Sequence, residues 1–358
     1  MLEGTTVPDW EALVACVRRE GTPRRVHLME LFLDAEVQDA LCARFALIDR
    51  LDPGDPFFAE KRQVALQRFL GYDFVCCGLE GLDMSGNTAS VEDTAAIPRQ
   101  GGRAFTDEHR GPIATWEEFE RYPWPDVERA GTRSLEWYQK HLPDDMCLIG
   151  GGISHYAELL SWLMGYETLC YALHDNRGLV RAIAARIDDL SARQLERYLQ
   201  FDRVRMIWGS DDMGFRTGLL IAPSDMRELV LPGHRRMAAR AHAAGRLYIL
   251  HSCGNLVDIR EDLIEDVRID AKHSFEDTTE SVVDAKQSYG NRLTLFGGID
   301  VDFLCRATEG EIRARVRATL DACMPGGGYC LGTGNTVANY IPLDNYLAML
   351  DEGRRYAS

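Results

Sequence analysis

The stretch RLYILHSCGN at residues 246–255 predicts a buried β-strand that ends in side chains able to bind a metal ion. The apolar run Tyr248–Leu250 is typical of strands that are covered on both faces. His251 and Cys253 stand two positions apart, so on an extended chain their side chains point to the same side. Imidazole and thiolate are both zinc ligands, and Gly254 permits a tight turn after them. The alternative is a buried thiol beside a hydrogen-bonded core histidine.

Seven more runs of this kind, bounded by turn residues, predict eight strands in all. The predicted strands are Arg25–Leu31, Asp73–Gly78, Met146–Gly151, Val204–Ser210, Arg246–His251, Arg268–His273, Leu293–Gly298 and Gly328–Gly332. Helical periodicity lies between most of them, at Asn176–Phe201, Ser224–Gly245, Asp277–Gly290, Thr308–Cys323 and Pro342–Tyr356. Alternating strands and helices predict parallel pairing, and eight such units predict an α/β fold, a closed (β/α)8 TIM barrel. A doubly wound open sheet is disfavoured, because no GxGxxG motif follows the first strand.

We expect residues 1–358 to form a single domain, since no linker, internal repeat or low-complexity segment divides the sequence. Residues 79–124 do not fit a minimal strand–helix unit and are rich in Gly, Thr and Asp. Long irregular insertions are often binding loops or lids. We therefore predict a cap inserted after the second strand, with an ordinary surface loop as the alternative.

The charge balance excludes several classes of partner. Forty Lys and Arg against 56 Asp and Glu give a net charge of −16, which argues against nucleic acid and anionic membranes. No apolar run reaches the roughly 18 residues of a membrane span, and the first 20 residues lack an apolar signal core. Ten cysteines without a CxxC pair are typical of reduced thiols. We expect a cytoplasmic protein.

Polar side chains follow nearly every predicted strand. Because TIM-barrel active sites lie at the carboxyl ends of the strands, these side chains are candidate functional residues. They are Glu30, His155, Asp211, Asp212, His273, Glu276, Asp300 and Asn335. We predict catalytic roles for Asp211, Asp212, His273 and Glu276, and substrate contacts for Glu30, His155, Asp300 and Asn335.

Five segments together resemble the uroporphyrinogen decarboxylase superfamily. They are SDDMG (210–214), LHSCGN (250–255), LFGGID (295–300), GGGYCLGTGN (326–335) and IPLDNYLAM (341–349). Decarboxylases of that superfamily carry an arginine-rich first strand, commonly RQAGRY, and a histidine near the eighth strand. This chain has VHLMELFLD at 26–34 and Asn335 instead. It therefore looks closer to the second branch, the cobalamin-dependent methyltransferases.

The resemblance implies zinc held by a His-x-Cys pair and a distant cysteine near the eighth strand. His251 and Cys253 match the pair, but Asn335 stands where the distant cysteine is expected. A carboxylate can complete a zinc site, so we prefer Glu276 or Asp211 as third ligand. Glu30, Asp300 and Cys330 remain open as alternatives.

The resemblance also implies transfer of a methyl group between a small substrate and a corrinoid (cobalamin). The substrate would be an O-, N- or S-methyl compound or a thiol. No DxHxxG cobalamin motif is present, so a partner corrinoid protein would carry the corrinoid. The superfamily further implies a homodimer. One alternative is a decarboxylase or other lyase acting on a tetrapyrrole or polycarboxylate, with Arg103, Arg110 and Arg216 as its basic residues. A non-catalytic partner protein that binds a corrinoid or a tetrapyrrole is a third possibility.

Overall fold

The computed structural model describes residues 2, 6–82, 84, 86–95, 97–99, 102–107 and 109–356. Its strands are β1 Phe74–Cys77, β2 Thr88–Val91, β3 Arg103–Thr106, β4 Cys147–Ile153, β5 Val204–Ser210, β6 Gly214–Phe215, β7 Gly218–Leu219, β8 Leu247–His251, β9 Ala271–His273, β10 Thr294–Phe296 and β11 Tyr329–Cys330. Seven of them form one parallel sheet in the order β1-β4-β5-β8-β9-β10-β11. The spatial order of the strands follows their order in the chain, as in barrels built from successive strand–helix units.

Helices cover the outside of this sheet. They are α1 Trp10–Val17, α2 Ala35–Arg44, α3 Phe58–Leu70, α4 Trp116–Arg121, α5 Arg133–His141, α6 Tyr156–Met164, α7 Tyr166–Asp175, α8 Arg177–Tyr198, α9 Pro223–Asp225, α10 Leu231–Ala243, α11 Val282–Tyr289, α12 Val301–Arg306, α13 Glu309–Cys323 and α14 Leu343–Arg355. Strand residues such as Ile149, Ile207 and Leu295 are fully buried between the helices and the interior of the sheet. The predicted (β/α)8 TIM barrel is confirmed.

The first predicted strand, Arg25–Leu31, is wrong as a regular strand. This segment forms isolated parallel bridges, Leu28 with Leu331 and Leu33 with Val337, and so extends the sheet beyond β11. On its other side it meets β1 through side chains: the buried Asp73 carboxylate accepts hydrogen bonds from Arg25 and from His27 Nδ1. Side chains rather than a backbone ladder therefore join the segment to β1.

Two helices differ from their predicted ranges, one at its start and one by an interruption. The helix predicted to begin at Asp277 begins at Val282, because the Ser281 hydroxyl caps it by accepting the Asp284 N–H at 3.2 Å. The helix predicted over Ser224–Gly245 contains a wide turn at Met226–Val230 before α10. Pro232 has no N–H to donate, which accounts for the interruption of the regular hydrogen-bond ladder.

The insertion at 79–124 contains an antiparallel hairpin, β2–β3, and the short helix α4. Asp93 and Arg103 both bond to the buried side chain of Asn339, which follows the eighth barrel position. Arg99 pairs with Asp34 and Glu36 after the first segment. The insertion is thus attached to loops at the carboxyl ends of two barrel positions, and its role as a lid stays a prediction. Within the described residues, no helix combines the length and apolar character that crossing a membrane requires.

We predict that Asp73→Asn destabilises the fold by about 3 kcal/mol, because it removes the buried charge that holds Arg25 and His27. Urea unfolding followed by circular dichroism measures this change. Asp266→Asn removes an exposed partner of Arg235 and is the control, with an expected loss below about 1 kcal/mol. Equal losses in the two variants would contradict the assigned role of Asp73.

Candidate active site

The ends of β5 and β8 bring three metal-binding side chains together. Ser210 is the register partner of His251, so the two side chains lie on the same side of the sheet. Asp212 follows Ser210 by two positions, and Cys253 follows His251 by two. The same alternation that directs His251 into the barrel thus directs the other two residues towards it.

Asp212, His251 and Cys253 offer one ligand atom each, and these atoms lie within 4.8 Å of one another. His251 Nε2 is 3.3 Å from Asp212 Oδ1 and 3.4 Å from Cys253 Sγ. The Cys253 N–H donates to the same Asp212 oxygen at 2.8 Å. Carboxylate, imidazole and thiolate are the three donor types of zinc sites, and catalytic zinc sites keep three protein ligands and an open position. The donor set is chemically suited to zinc.

Gly254 is required for this geometry. Its φ of +83° is costly for other residues, and a Cβ there would lie 2.1 Å from the carbonyl oxygen of Gly214. The close approach of these two backbone segments sets the positions of Cys253 and Asp212, which precede them in the chain.

The surroundings of Cys253 disfavour a bare thiolate. Burial, and then the Asp212 carboxylate, raise the pKa of Cys253 to about 12. Two donors oppose this: Asn335 Nδ2 lies 3.1 Å and Ser274 Oγ 3.5 Å from Sγ. Burial also opposes ionisation of Asp212, but bonding to His251 and to the Cys253 N–H lowers its pKa to about 2. A cation at this point would complement the Asp212 charge and favour the thiolate.

His273 supports His251 from inside the barrel. Their Nδ1 atoms are 2.7 Å apart, so one ring donates and the other accepts. Burial, and then His251, keep the pKa of His273 well below its usual value, so His273 is neutral. If His251 binds a metal ion through Nε2, its hydrogen is on Nδ1, which then donates to His273 Nδ1. Such a bond orients a metal-ligating imidazole.

The structure separates the two adjacent aspartates. Asp211 is fully buried and accepts the N–H groups of Ala157 and Glu158, both at 3.0 Å, at the start of α6. Its second oxygen also bonds to His234 Nε2 at 2.9 Å. Asp211 therefore caps a helix and stands outside the donor group, whereas Asp212 is a member of it.

The remaining acidic candidates have other contacts. Glu30 bonds to the Thr333 N–H and hydroxyl, and burial raises the pKa of its carboxyl to about 8. Asp300 accepts from the N–H groups of Phe303 and Asp277, which caps α12. Glu276 is not a member of the donor group; it lines two cavities, one of which also has Asn335, a hydrogen-bond partner of Cys253, in its wall. Cys330 is buried in β11.

A cavity of about 310 Å³ opens at the carboxyl ends of β1, β4 and β5, near the donor group, although Asp212, His251 and Cys253 do not line it. Ser210, the register partner of His251, forms part of its wall, with Trp208, His155 and Phe32. Trp208 is buried, and its indole N–H has no hydrogen-bond partner among the described residues. His155 Nδ1 bonds to Glu158 at 2.7 Å. The lining is mostly apolar, and the Trp208 ring forms part of it.

Sequence reasoning missed Trp208 and His234. It also preferred Glu276 or Asp211, rather than Asp212, as the third ligand. A signal for Trp208 and Asp212 was present: they stand at even spacing from Ser210, on the side of the strand that faces His251. For His234, which lies on a helix and reaches Asp211, the sequence offers no comparable signal.

Comparison with known proteins decides the family. Residues 108–356 match the family described as Uroporphyrinogen decarboxylase (URO-D). The chain belongs to this family. A methylated-thiol–coenzyme M methyltransferase of Methanosarcina mazei is 30% identical over 130 residues, which cover 36% of this chain and only 32% of that relative. A solved structure, a methyltransferase from Methanosarcina mazei, superposes with a TM-score of 0.67 at 16% identity, covering 98% of each chain.

We predict that Asp212→Asn and Cys253→Ala each weaken Zn²⁺ binding by roughly 100-fold or more, because each removes one charged donor of the group. Competition with a chromophoric chelator measures the affinity. Glu276→Gln is the matched control and should bind as the unaltered protein does. The reverse pattern, with loss in Glu276→Gln and none in Asp212→Asn, would restore Glu276 as the ligand.

Proposed function

We propose that this protein is a zinc-dependent methyltransferase that moves a methyl group between a small substrate and the corrinoid of a partner protein. The observation that carries the proposal is the Asp212, His251 and Cys253 donor group beside the apolar cavity at the open end of the barrel. Family membership and the methyltransferase names of the two relatives support it. Because one relative is named for methylated thiols, a thiol or thioether is our first choice of substrate.

Zinc, when bound, lowers the pKa of a thiol or alcohol or polarises the atom that carries the methyl group. His251, Cys253 and Asp212 would hold it, and His273 would keep the His251 ring in orientation. Asn335 and Ser274 donate to Cys253 Sγ and so moderate the negative charge of the ligand sulfur.

Residues of the cavity wall would bind the substrate and exchange a proton with it. Their apolar side chains exclude water from the methyl group, and the Trp208 N–H can donate to the heteroatom beside it. Burial opposes a charge on His155, but the Glu158 hydrogen bond and the charges of Glu158, Asp211 and Asp212 together raise the pKa of His155. A raised pKa suits His155 to exchange a proton with a thiol at the cavity wall.

The cavity size determines where the corrinoid can be. A volume of about 310 Å³ is at the lower end for small-molecule pockets and does not enclose a corrin macrocycle. The corrinoid would therefore be presented from outside, by a protein docked over the barrel mouth. The same size disfavours a whole tetrapyrrole as an enclosed substrate.

The decarboxylase alternative lacks its basic pocket. Arg103 bonds to Asp93 and Asn339, Arg110 pairs with Glu118, and Arg216 is exposed. These arginines are not among the residues that line the cavity beside the donor group. An octacarboxylate such as uroporphyrinogen would meet few cations there.

We expect the zinc-loaded protein to transfer the methyl group of methylcobalamin to coenzyme M or another small thiol. The loss of methylcobalamin absorbance and mass spectrometry of the methylated thiol measure the reaction. Cys253→Ala should lower the rate by about 100-fold or more, because it removes a charged ligand. Cys305→Ala, on α12 outside the donor group, is the matched control and should keep the rate.

Failure of the zinc-loaded protein to exchange methyl groups with methylcobalamin, methylated corrinoid protein or methylated thiols would refute the proposal. Release of carbon dioxide from uroporphyrinogen would instead establish the decarboxylase alternative.

We further predict that Trp208→Phe lowers kcat/KM for the best substrate by about five-fold, the typical worth of one hydrogen bond. The ring volume is largely kept, so zinc content should not change. Trp116→Phe alters an exposed tryptophan and serves as control. An unchanged kcat/KM in Trp208→Phe would show that the indole N–H does not contact the substrate.

A further inference from the structure

A second cavity, of about 210 Å³, lies on the outer side of the barrel wall behind β9. Strand alternation explains its position: His273 points into the barrel, so Lys272 points outwards, towards the covering helices. The cavity shares no lining residue with the one beside the donor group. It is therefore a separate space with its own chemistry.

Lys272 is a buried cation without an acidic partner. Only 7% of the residue is exposed, and none of the ion pairs of the described residues includes it. Its ammonium donates to the Ser274 carbonyl oxygen and stands 4.1 Å from the centre of the Phe275 ring. An ammonium has three donors, and buried charges in proteins are normally paired. Lys272 thus has unused capacity to bind an anion.

A second polar group in the same cavity has no partner. The Thr279 hydroxyl is buried and makes no hydrogen bond to the described residues. The other charged pair of the lining is already satisfied, since Glu280 accepts from Arg260 and from the Tyr289 hydroxyl, both at 2.7 Å. Two unused donors therefore line one cavity, and no neighbouring carboxylate is paired with either.

The rest of the lining is mixed: the polar side chains of Asn255, Ser274 and Glu276 stand on one part of it, and an aliphatic part is formed by Leu263, Ile264, Ile269 and Leu293. Val257, half exposed, stands at the edge of the lining and connects it with solvent. A ligand that matches these walls has a charged head for Lys272 and Thr279 and a short hydrocarbon part for the aliphatic side chains.

We propose that this cavity binds a small organic anion, a short-chain monocarboxylate. Its carboxylate accepts hydrogen bonds from Lys272 Nζ and the Thr279 hydroxyl, and its alkyl chain contacts Leu263 and Leu293. Ser274 joins this site to the candidate metal centre, because its carbonyl faces Lys272 while its hydroxyl faces Cys253 Sγ.

The test is calorimetric titration of the purified full-length chain with sodium butyrate. Butyramide, which has the same shape without the charge, is the ligand control. We expect saturable binding of butyrate and none of butyramide. Lys272→Met should weaken butyrate binding by about ten-fold or more, as loss of a charge-assisted hydrogen bond implies. Lys286→Met is the matched control, since Lys286 donates to the Gly327 carbonyl outside this cavity.

Thr279→Val, which retains the shape, gives a second and milder variant should Lys272→Met fail to fold, and it should also weaken binding. Cys253→Ala tests for butyrate held by a metal ion instead, and binding should persist in it. Loss of binding in Cys253→Ala with retention in Lys272→Met overturns the proposal and assigns the anion to the metal centre. Absence of saturable binding in the unaltered protein also overturns it and leaves a water-filled cavity.

Discussion

One carboxylate oxygen, Oδ1 of Asp212, organises the candidate site. It accepts the Cys253 N–H at 2.8 Å and lies 3.3 Å from His251 Nε2, so it links the ends of β5 and β8. The parallel register pairs Ser210 with His251, so the two strands end at the same level of the barrel. The turn at Gly254 lets the segment after β8 approach Gly214, after β5. Cys253 lies beyond the last residue of β8, and its bond to Asp212 holds it there, together with backbone bonds from Ser252 to His273 and from Asn255 to Phe215.

Burial and hydrogen bonding together give the neighbouring titratable groups different charges. Asp212 is held ionised, Cys253 is held neutral and His273 is held neutral, although the three lie around the same imidazole. A divalent cation would change only the protonation of Cys253, by displacing its thiol proton. The preformed carboxylate and the fixed imidazole would then require little rearrangement, which is the condition for a ligand set that is ready before its ion arrives.

The sequence predicts the barrel well because apolar runs and helical periodicity recur at regular spacing, and β5 matches its predicted range Val204–Ser210. It predicts His251 and Cys253 because strand alternation is a local property. The contacts of Asp211 could not be predicted, since its bonds to α6 and His234 join residues distant in sequence. The sequence-based prediction of the first strand is wrong because side-chain bonds from Arg25 and His27 to Asp73, and not a backbone ladder, join this segment to β1. Lys272, hidden in an ordinary strand sequence, becomes notable only once its burial is known.

The junction at Asp73 also affects how the barrel can move. Separating β5 from β8 would break a continuous ladder of backbone hydrogen bonds. Separating the first segment from β1 would break only the contacts of Arg25 and His27 with Asp73. Amide hydrogen exchange should therefore begin beside β1 and spread last to the strands that bear the donor group. We therefore expect local fluctuations to widen the barrel beside β1 before they alter the spacing of the ligand-bearing strands β5 and β8.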